Sequence, residues 1–212
     1  MLLAAAAEVD EDWPRFLGPR ANNISFFAGD VESAPLGGPY DYAFSRFGVM
    51  FFANPVAALR NIRKSLKPGG RFAAAVWRRK DENPWLHDVE LAVQEIAPRP
   101  LETEDQITCG PGPFSMAGPD LVSAQMRSAG FEHISFERFD CDICLGANVD
   151  EAIDAAMTLG PAGELLRLAG DDAERKRPEI IAVLGKLFAA CQRDGGVFAK
   201  SSSWILSAVA PP

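Results

Sequence analysis

Phe44–Trp77 reads FSRFGVMFFANPVAALRNIRKSLKPGGRFAAAVW, and this stretch decides the fold class. A short strand enters it, and an apolar strand, Arg71–Trp77, leaves it. Between the two, Asn54 is a favoured N-cap and Pro55 suits the first helical position, so we expect a helix to begin there. Because strand, helix and strand alternate along the chain, the stretch predicts an α/β fold with parallel winding.

The predicted helix has one apolar face and a marked end. Leu59, Ile62 and Leu66 share the apolar face, and basic residues cover the other. We expect Lys67 to lie in the last turn, where a cation complements the helix dipole. Pro68 cannot continue a helix, so the exit is predicted there.

The flanking sequence supplies further strands and helices of the same kind. Apolar and β-branched runs predict strands over Asn23–Asp30, Tyr40–Phe47, His133–Cys144 and Ser202–Val209. Apolar residues at helical spacing predict helices in NPWLHDVELAVQEI and GPDLVSAQMRSAGF, and three helical pieces between Asn148 and Arg193.

The charge of the chain argues against nucleic acid as the main partner. The 212 residues include 21 basic and 29 acidic side chains, for a net charge of −8. Neutralising phosphates requires clustered Lys and Arg. The one basic run, Arg78-Arg79-Lys80, is followed at once by Asp81 and Glu82, so we expect a solvated loop there.

The N-terminus and the cysteines predict a cytoplasmic protein without a membrane anchor. The opening MLLAAAAEVDEDW lacks a basic n-region and is too short to span a bilayer. Four scattered cysteines suit a reducing compartment. Cys141 and Cys144 form a lone C-x-x-C within a predicted strand, where they face opposite sides. We therefore expect structural thiols and no metal site.

FAGDVESAPL, the stretch from Phe44 to Trp77 and the following NPW resemble class I S-adenosylmethionine-dependent methyltransferases. The resemblance is to the small-molecule type that includes ubiquinone- and menaquinone-pathway enzymes. It is close over residues 23–85 and looser from Gly118 onward. It implies an incomplete Rossmann-like sheet, mostly parallel with an antiparallel C-terminal edge strand and flanked by helices.

The same resemblance implies one truncated domain over residues 1–212. The helical block at 148–193 would be a cap inserted near the substrate side. Ligands of open α/β sheets bind at the carboxyl ends of the strands. The residues after three predicted strands are therefore expected to border one crevice.

The site residues follow from that mapping and are implied by the resemblance. Asp30 would accept a hydrogen bond from the adenine amino group of S-adenosylmethionine, and Val31 would offer its backbone N–H to the ring. A turn-forming role for Asp30 after Gly29 is the alternative. The methionine end would be lined by Ser45, Arg46 and Phe47, although core packing is an equally good explanation of Phe47.

The methyl acceptor would be a small molecule held beside Trp77 and Trp85. His87 would be the catalytic base that deprotonates a phenol or similar acceptor, and a surface helical histidine is the alternative. Methyl transfer from a sulfonium needs mainly alignment and exclusion of water. No nucleophile or metal signature is therefore expected.

The family's Gly-rich cofactor loop has no counterpart in residues 1–20. A strand–helix unit takes roughly thirty residues, so the two units that carry the first two strands, about sixty residues, are expected to be absent. Losing two or three hydrogen bonds to the cofactor would weaken its binding by about two to six orders of magnitude. Missing strands would also expose backbone edges. We expect Asn23–Asp30 either to pair with Tyr40–Phe47 or to recruit a second copy of the chain, as a homodimer.

Two functions of different classes follow. The first is a methyltransferase that acts on a small molecule. The second is a non-catalytic remnant that serves as a binding or oligomerisation module. A nicotinamide-dependent reductase of the short-chain type is set aside, because neither Tyr40 nor Tyr42 is followed four residues later by the lysine which that family requires.

Overall fold

The computed structural model describes residues 29–98, 111–159 and 161–212. In chain order the strands and helices are β1 (Tyr40–Arg46), α1 (Pro55–Lys64), β2 (Leu66–Trp77), α2 (Pro84–Gln94), α3 (Pro119–Ser128), β3 (Glu132–Gly146), α4 (Val149–Leu159), α5 (Pro161–Ala169), α6 (Ala173–Ala189), β4 (Gln192–Arg193) and β5 (Gly196–Val209). They fall into two units. Among the described residues, the first draws on 29–77, 111–138 and 203–212, and the second on 78–98, 139–159 and 161–202.

The first unit is built on a mixed sheet with the strand order β1-β2-β5-β3. β1 and β2 run parallel, with Phe44 opposite Ala73. β5 is antiparallel to β2, with Ser207 opposite the same Ala73. Helices α1 and α3 pack on the sheet, so the α/β fold class is confirmed. The C-terminal strand β5 is antiparallel to β2 as predicted, but its predicted place at the edge was wrong, because β5 lies between β2 and β3.

Helix α1 begins as predicted but ends earlier. The Asn54 side chain accepts a hydrogen bond of 3.0 Å from the Ala57 N–H, which caps the first turn. The helix stops at Lys64, where Ser65 closes it with a hydroxyl bond of 2.7 Å to the Ile62 carbonyl. The prediction that Lys67 belongs to the last turn was wrong. Lys67 lies in β2 and its ammonium contacts the Asp41 carboxylate at 2.8 Å.

The two faces of the sheet in the first unit differ in burial. One face packs on α1 and α3 through large apolar side chains that are buried, among them Leu59, Ile62, Phe72, Val76, Met126 and Phe131. The side chains of Tyr42, Phe44 and Ile205 are exposed on the opposite face. This difference follows from strand alternation, because residues that are adjacent along a strand point to opposite sides.

The second unit is mainly helical. The helical block between Asn148 and Arg193 consists of α4, α5 and α6, so the three predicted pieces are confirmed. Their apolar faces share a core with α2, formed by buried side chains such as Val89, Val93, Leu165, Ile180, Leu184 and Phe188. The short β4 pairs with the start of β5, Gln192 opposite Val197. The assignment of 148–193 as a cap inserted in one domain stays a prediction.

The predicted strand Asn23–Asp30 lies outside the described residues except for Gly29 and Asp30, which are not in a strand. Its predicted pairing with Tyr40–Phe47 therefore also lies outside them. Within the described ranges, every helix is too short or too polar to cross a bilayer.

Candidate functional site

The carboxyl ends of β1 and β2 lie at the same edge of the sheet in the first unit. Arg46 pairs with Ala75, and the Phe47 N–H donates a hydrogen bond of 2.9 Å to the Ala75 carbonyl. The rings of Phe47 and Trp77 stack there, with centroids 4.0 Å apart and planes 17° from parallel. Two of the sequence-predicted residues thus form one aromatic platform, which we call the Phe47–Trp77 stack.

The backbone of Phe47 is in an uncommon conformation. Its φ is +52°, in the left-handed region that bulky residues rarely adopt. Holding a non-glycine residue there costs about 1–3 kcal/mol and requires support from the surrounding structure. The support comes from the bond to Ala75 and from stacking on Trp77. Backbone conformations of this kind concentrate at functional sites.

Met50 anchors the segment that follows Phe47. The Trp77 N–H donates a hydrogen bond of 3.3 Å to the Met50 sulfur. The Met50 carbonyl accepts bonds from the Gly112 N–H, at 3.0 Å, and from the Ser115 hydroxyl, at 2.6 Å. The loop at 111–117 is therefore fixed to the chain beside the Phe47–Trp77 stack.

Asp30 opens a turn and caps it. One carboxylate oxygen accepts a bond of 3.0 Å from the Glu32 N–H, and the other accepts one of 2.7 Å from the Ser33 hydroxyl. The Ser33 hydroxyl first, and the Glu32 N–H second, lower the pKa of Asp30 below its ordinary value. The turn-forming role is therefore present. A carboxylate that accepts one bond on each oxygen retains lone pairs for a ligand.

Helix α1 holds the same turn from two sides. The Glu32 carboxylate accepts hydrogen bonds from the Ala53 and Asn54 N–H groups, the latter at 3.1 Å. The Asn61 side chain donates to the Val31 carbonyl at 2.9 Å. Glu32 and Asn61 were missed as positioning residues. The preference for acidic groups at a helix N-terminus was the signal for Glu32.

Ser45 and Arg46 lie on opposite faces of β1. Ser45 is only 1% exposed, on the core-facing side, and its hydroxyl has no hydrogen-bond partner among the described residues. Arg46 is exposed. Strand alternation explains the separation, since neighbouring residues on one strand cannot face the same side.

Trp85 and His87 belong to the second unit, on α2. His87 is partly exposed, and its Nδ1 lies 3.2 Å from the Asp88 carboxylate. The Trp85 indole N–H donates a bond of 3.3 Å to the Asn83 side chain. Asn83 is itself buried and exchanges hydrogen bonds of 2.9 and 3.1 Å with the Ser202 backbone. The first turn of α2 is therefore held in place.

The loop at Arg78–Lys80 was wrongly predicted to be solvated. The Arg78 side chain is 7% exposed and pairs with Glu82 and, at 3.1 Å, with Asp140. Lys80 pairs with the buried Glu90. The i,i+4 spacing of Arg78 and Glu82 was the available signal. Arg79, by contrast, is exposed, as predicted.

The thiols of Cys141, Cys144 and Cys191 are free. Cys141 lies 3.5 Å from the Ser201 hydroxyl, and the Cys144 thiol lies 3.5 Å from the Gly146 carbonyl. In the part of the chain that the structure describes, no group of three or more metal-ligating side chains comes together.

Residues 4–74, about a third of the chain, match a family model described as a methyltransferase domain. The matched segment contains Asp30, Val31, Ser45, Arg46 and Phe47.

The fold is similar to several solved structures. One is a Bacillus halodurans protein with a provisional methyltransferase assignment, at 17% identity, covering 89% of this chain and 78% of that protein, with a TM-score of 0.48. Another is the YcgJ protein of Bacillus subtilis, at 13% identity over 90% of this chain and 72% of that one, with a TM-score of 0.49. A third is an S-adenosylmethionine-dependent methyltransferase of Thermotoga maritima, at 13% identity over 89% and 65%, with a TM-score of 0.43.

Proposed function

We propose that this protein methylates a small-molecule acceptor, of the kind handled by quinone-pathway enzymes, with S-adenosylmethionine as the donor. The observation that carries the proposal is the methyltransferase-domain match over residues 4–74. The alternative function, that of a non-catalytic remnant, is not favoured by that match. Activity of this chain by itself is part of the proposal.

The residues at the strand end fit the cofactor. S-adenosylmethionine supplies an activated methyl group on a positively charged sulfonium. Aromatic faces attract such cations, and the Phe47–Trp77 stack provides two rings that are only partly exposed. The Asp30 carboxylate is ionised at neutral pH, as aspartates ordinarily are, and it can accept hydrogen bonds from a ligand. We assign the adenine contacts to Asp30 and Val31.

The other cofactor residues have distinct proposed roles. Phe47 excludes water from the methionine end, because it supplies an apolar ring at the point where β1 ends. Ser45 was predicted to line the methionine end, but its hydroxyl is buried on the core-facing side, where an ordered water would satisfy it, so any contact with the cofactor is assigned to its backbone. Arg46 is exposed and can contact an anionic group such as the methionine carboxylate.

The acceptor side is assigned to Trp77, Trp85 and His87. We propose that His87 takes the proton from the acceptor, with Asp88 orienting the imidazole through the 3.2 Å contact. His87→Gln is expected to lower kcat more than KM and to remove the limb of the pH profile that reports a base. An unchanged pH profile would contradict this role.

Calorimetric titration of the purified chain with S-adenosylmethionine, and separately with S-adenosylhomocysteine, tests the proposal. Heat that saturates in the micromolar range is expected. Asp30→Asn and Phe47→Ala should weaken binding, whereas the exposed Asp41→Asn, which lies outside the proposed site, should not. No heat at millimolar ligand would refute cofactor binding and favour the remnant.

Two further expectations belong to the same proposal. A second copy of the chain is the proposed partner, which sedimentation velocity would detect as a species of twice the monomer mass. The cytoplasm is the proposed compartment, which fractionation of cells expressing the natural gene would test.

A further inference from the structure

The second unit contains an apolar cavity of about 200 Å³. Four elements wall it: α2, the end of β3, α4 and α6. Its floor is formed by side chains of the unit's core, such as Val89 and Phe188, which are almost fully buried. Two other lining residues, Trp85 and Cys144, are accessible to solvent. The cavity therefore has a buried floor and an accessible rim.

A cavity of about 200 Å³ with an accessible rim has room for a small molecule. Protein interiors contain few voids larger than a water molecule. An apolar cavity of about 150 Å³ in another protein stays dry and binds benzene. The cavity of the second unit is larger than that and has an accessible rim, so a small apolar molecule can enter and displace poorly held water.

The lining defines the chemistry of the ligand. The lining side chains among the described residues are apolar apart from the Cys144 thiol and the Trp85 indole N–H. That N–H is already directed to Asn83, so the indole ring is oriented by its polar edge. A charged ligand would lose its hydration on entering the cavity, and none of these lining side chains carries a charge that would compensate for this loss.

We propose that this cavity binds a neutral, flat ring system of one or two fused rings, placed against Trp85. Because aromatic rings attract each other in offset-stacked or edge-to-face geometry, Trp85 favours a flat ring over an alkyl chain that buries the same surface area. If the chain is a methyltransferase with a small-molecule acceptor, this ring belongs to that acceptor. The acceptor role rests on the proposed function, whereas ring binding itself does not.

Calorimetric titration with 1-naphthol, in the absence of S-adenosylmethionine, tests the site. Saturable one-to-one binding is expected, and decanoate should compete poorly. Ala155 lines the cavity on α4, so Ala155→Phe should weaken 1-naphthol binding by at least about tenfold. Ala182 is exposed on α6, and Ala182→Phe should leave binding unchanged. If Ala155→Phe fails to fold, Val89→Ala is the variant to test instead. It enlarges the cavity, so it should retain ring binding and admit a larger ring.

Cys144 gives an independent readout at the rim. In a Cys141→Ser background, saturating 1-naphthol should slow alkylation of Cys144 by N-ethylmaleimide, measured by mass spectrometry. In a Cys144→Ser background, alkylation of Cys141, which is exposed but does not line the cavity, should not change. Thermal unfolding of each variant checks that it is folded.

Each possible result of these experiments either supports or overturns the ring site. Equal binding by Ala155→Phe, unprotected Cys144, or stronger binding of decanoate than of 1-naphthol would overturn the ring site. Ring binding without cofactor binding would leave the cavity assignment standing and overturn only the acceptor role. Cofactor binding without ring binding would overturn the cavity assignment, and the acceptor role of the cavity with it, and would leave the proposed function standing.

Discussion

The paired arginines Arg78 and Arg79 offer a sharp test of how burial changes the contribution of an ion pair. Arg78→Met preserves much of the aliphatic side chain and removes the charge. Arg78 is 7% exposed, while its partners Glu82 and Asp140 are 30% and 44% exposed. Arg79 makes the same kind of contact with Asp81, but these side chains are 72% and 52% exposed.

The expected magnitudes differ severalfold. Breaking a buried pair costs about 3–5 kcal/mol when the remaining charge stays buried. Because Glu82 and Asp140 can partly rehydrate, we expect Arg78→Met to lower the free energy of unfolding by about 2–4 kcal/mol. Arg79→Met should lower it by no more than about 0.5 kcal/mol, since exposed pairs contribute little.

Urea unfolding followed by far-ultraviolet circular dichroism measures both variants, with the m-value checked for each because the chain contains two units. The Arg78→Met, Asp140→Asn double variant should lose less than the sum of the two single variants. If Arg78→Met and Arg79→Met differ by less than about 0.5 kcal/mol, the argument from burial is refuted.

Three further predictions concern caps and a turn. Asn54→Ala should cost about 1 kcal/mol of unfolding free energy and Asn54→Asp much less, because only alanine loses the cap; urea unfolding compares them, and equal losses would contradict the cap. Gly130 has φ +91°, and an added Cβ would lie 3.0 Å from Arg63 Nε. Gly130→Ala should therefore lower the free energy of unfolding by about 1–2 kcal/mol in the same assay, and an unchanged free energy of unfolding would contradict the argument. Because the pKa of Asp30 is lowered in the folded protein, its ionised carboxylate stabilises the fold fully above the ordinary pKa of 3.8, and this stabilisation is lost as the pH falls through the native pKa. Ser33→Ala should raise the pKa of Asp30 towards its ordinary value, as measured by NMR titration of the carboxyl group. An unchanged pKa would exclude the Ser33 hydroxyl as the main cause of the shift.

Local signals in the sequence were sufficient for most of the first unit. Asn54-Pro55 predicted the start of α1 because capping depends on neighbouring residues alone. Lys67 was misplaced because the helix is closed by the Ser65 hydroxyl, a contact that hydrophobic periodicity does not report. β2 then begins before Pro68 and extends through both glycines.

The candidate site was predictable only in part. The resemblance singled out Phe47 and Trp77 separately, but their stacking depends on the register between β1 and β2. Burial of Arg78 depends on Asp140, which is distant in sequence. The cavity could not be predicted, since four elements create it and no single segment carries its pattern.

The left-handed backbone at Phe47 restricts which substitutions this position can tolerate. Glycine would relax the main chain but remove the ring that stacks on Trp77, while tyrosine would keep a ring and retain the strain. No common amino acid both relaxes the main chain and keeps the ring. In a saturation library, tyrosine should therefore behave most like the native phenylalanine, glycine should lose ligand binding without losing stability from backbone strain, and other non-aromatic residues should keep the strain and lose the ring.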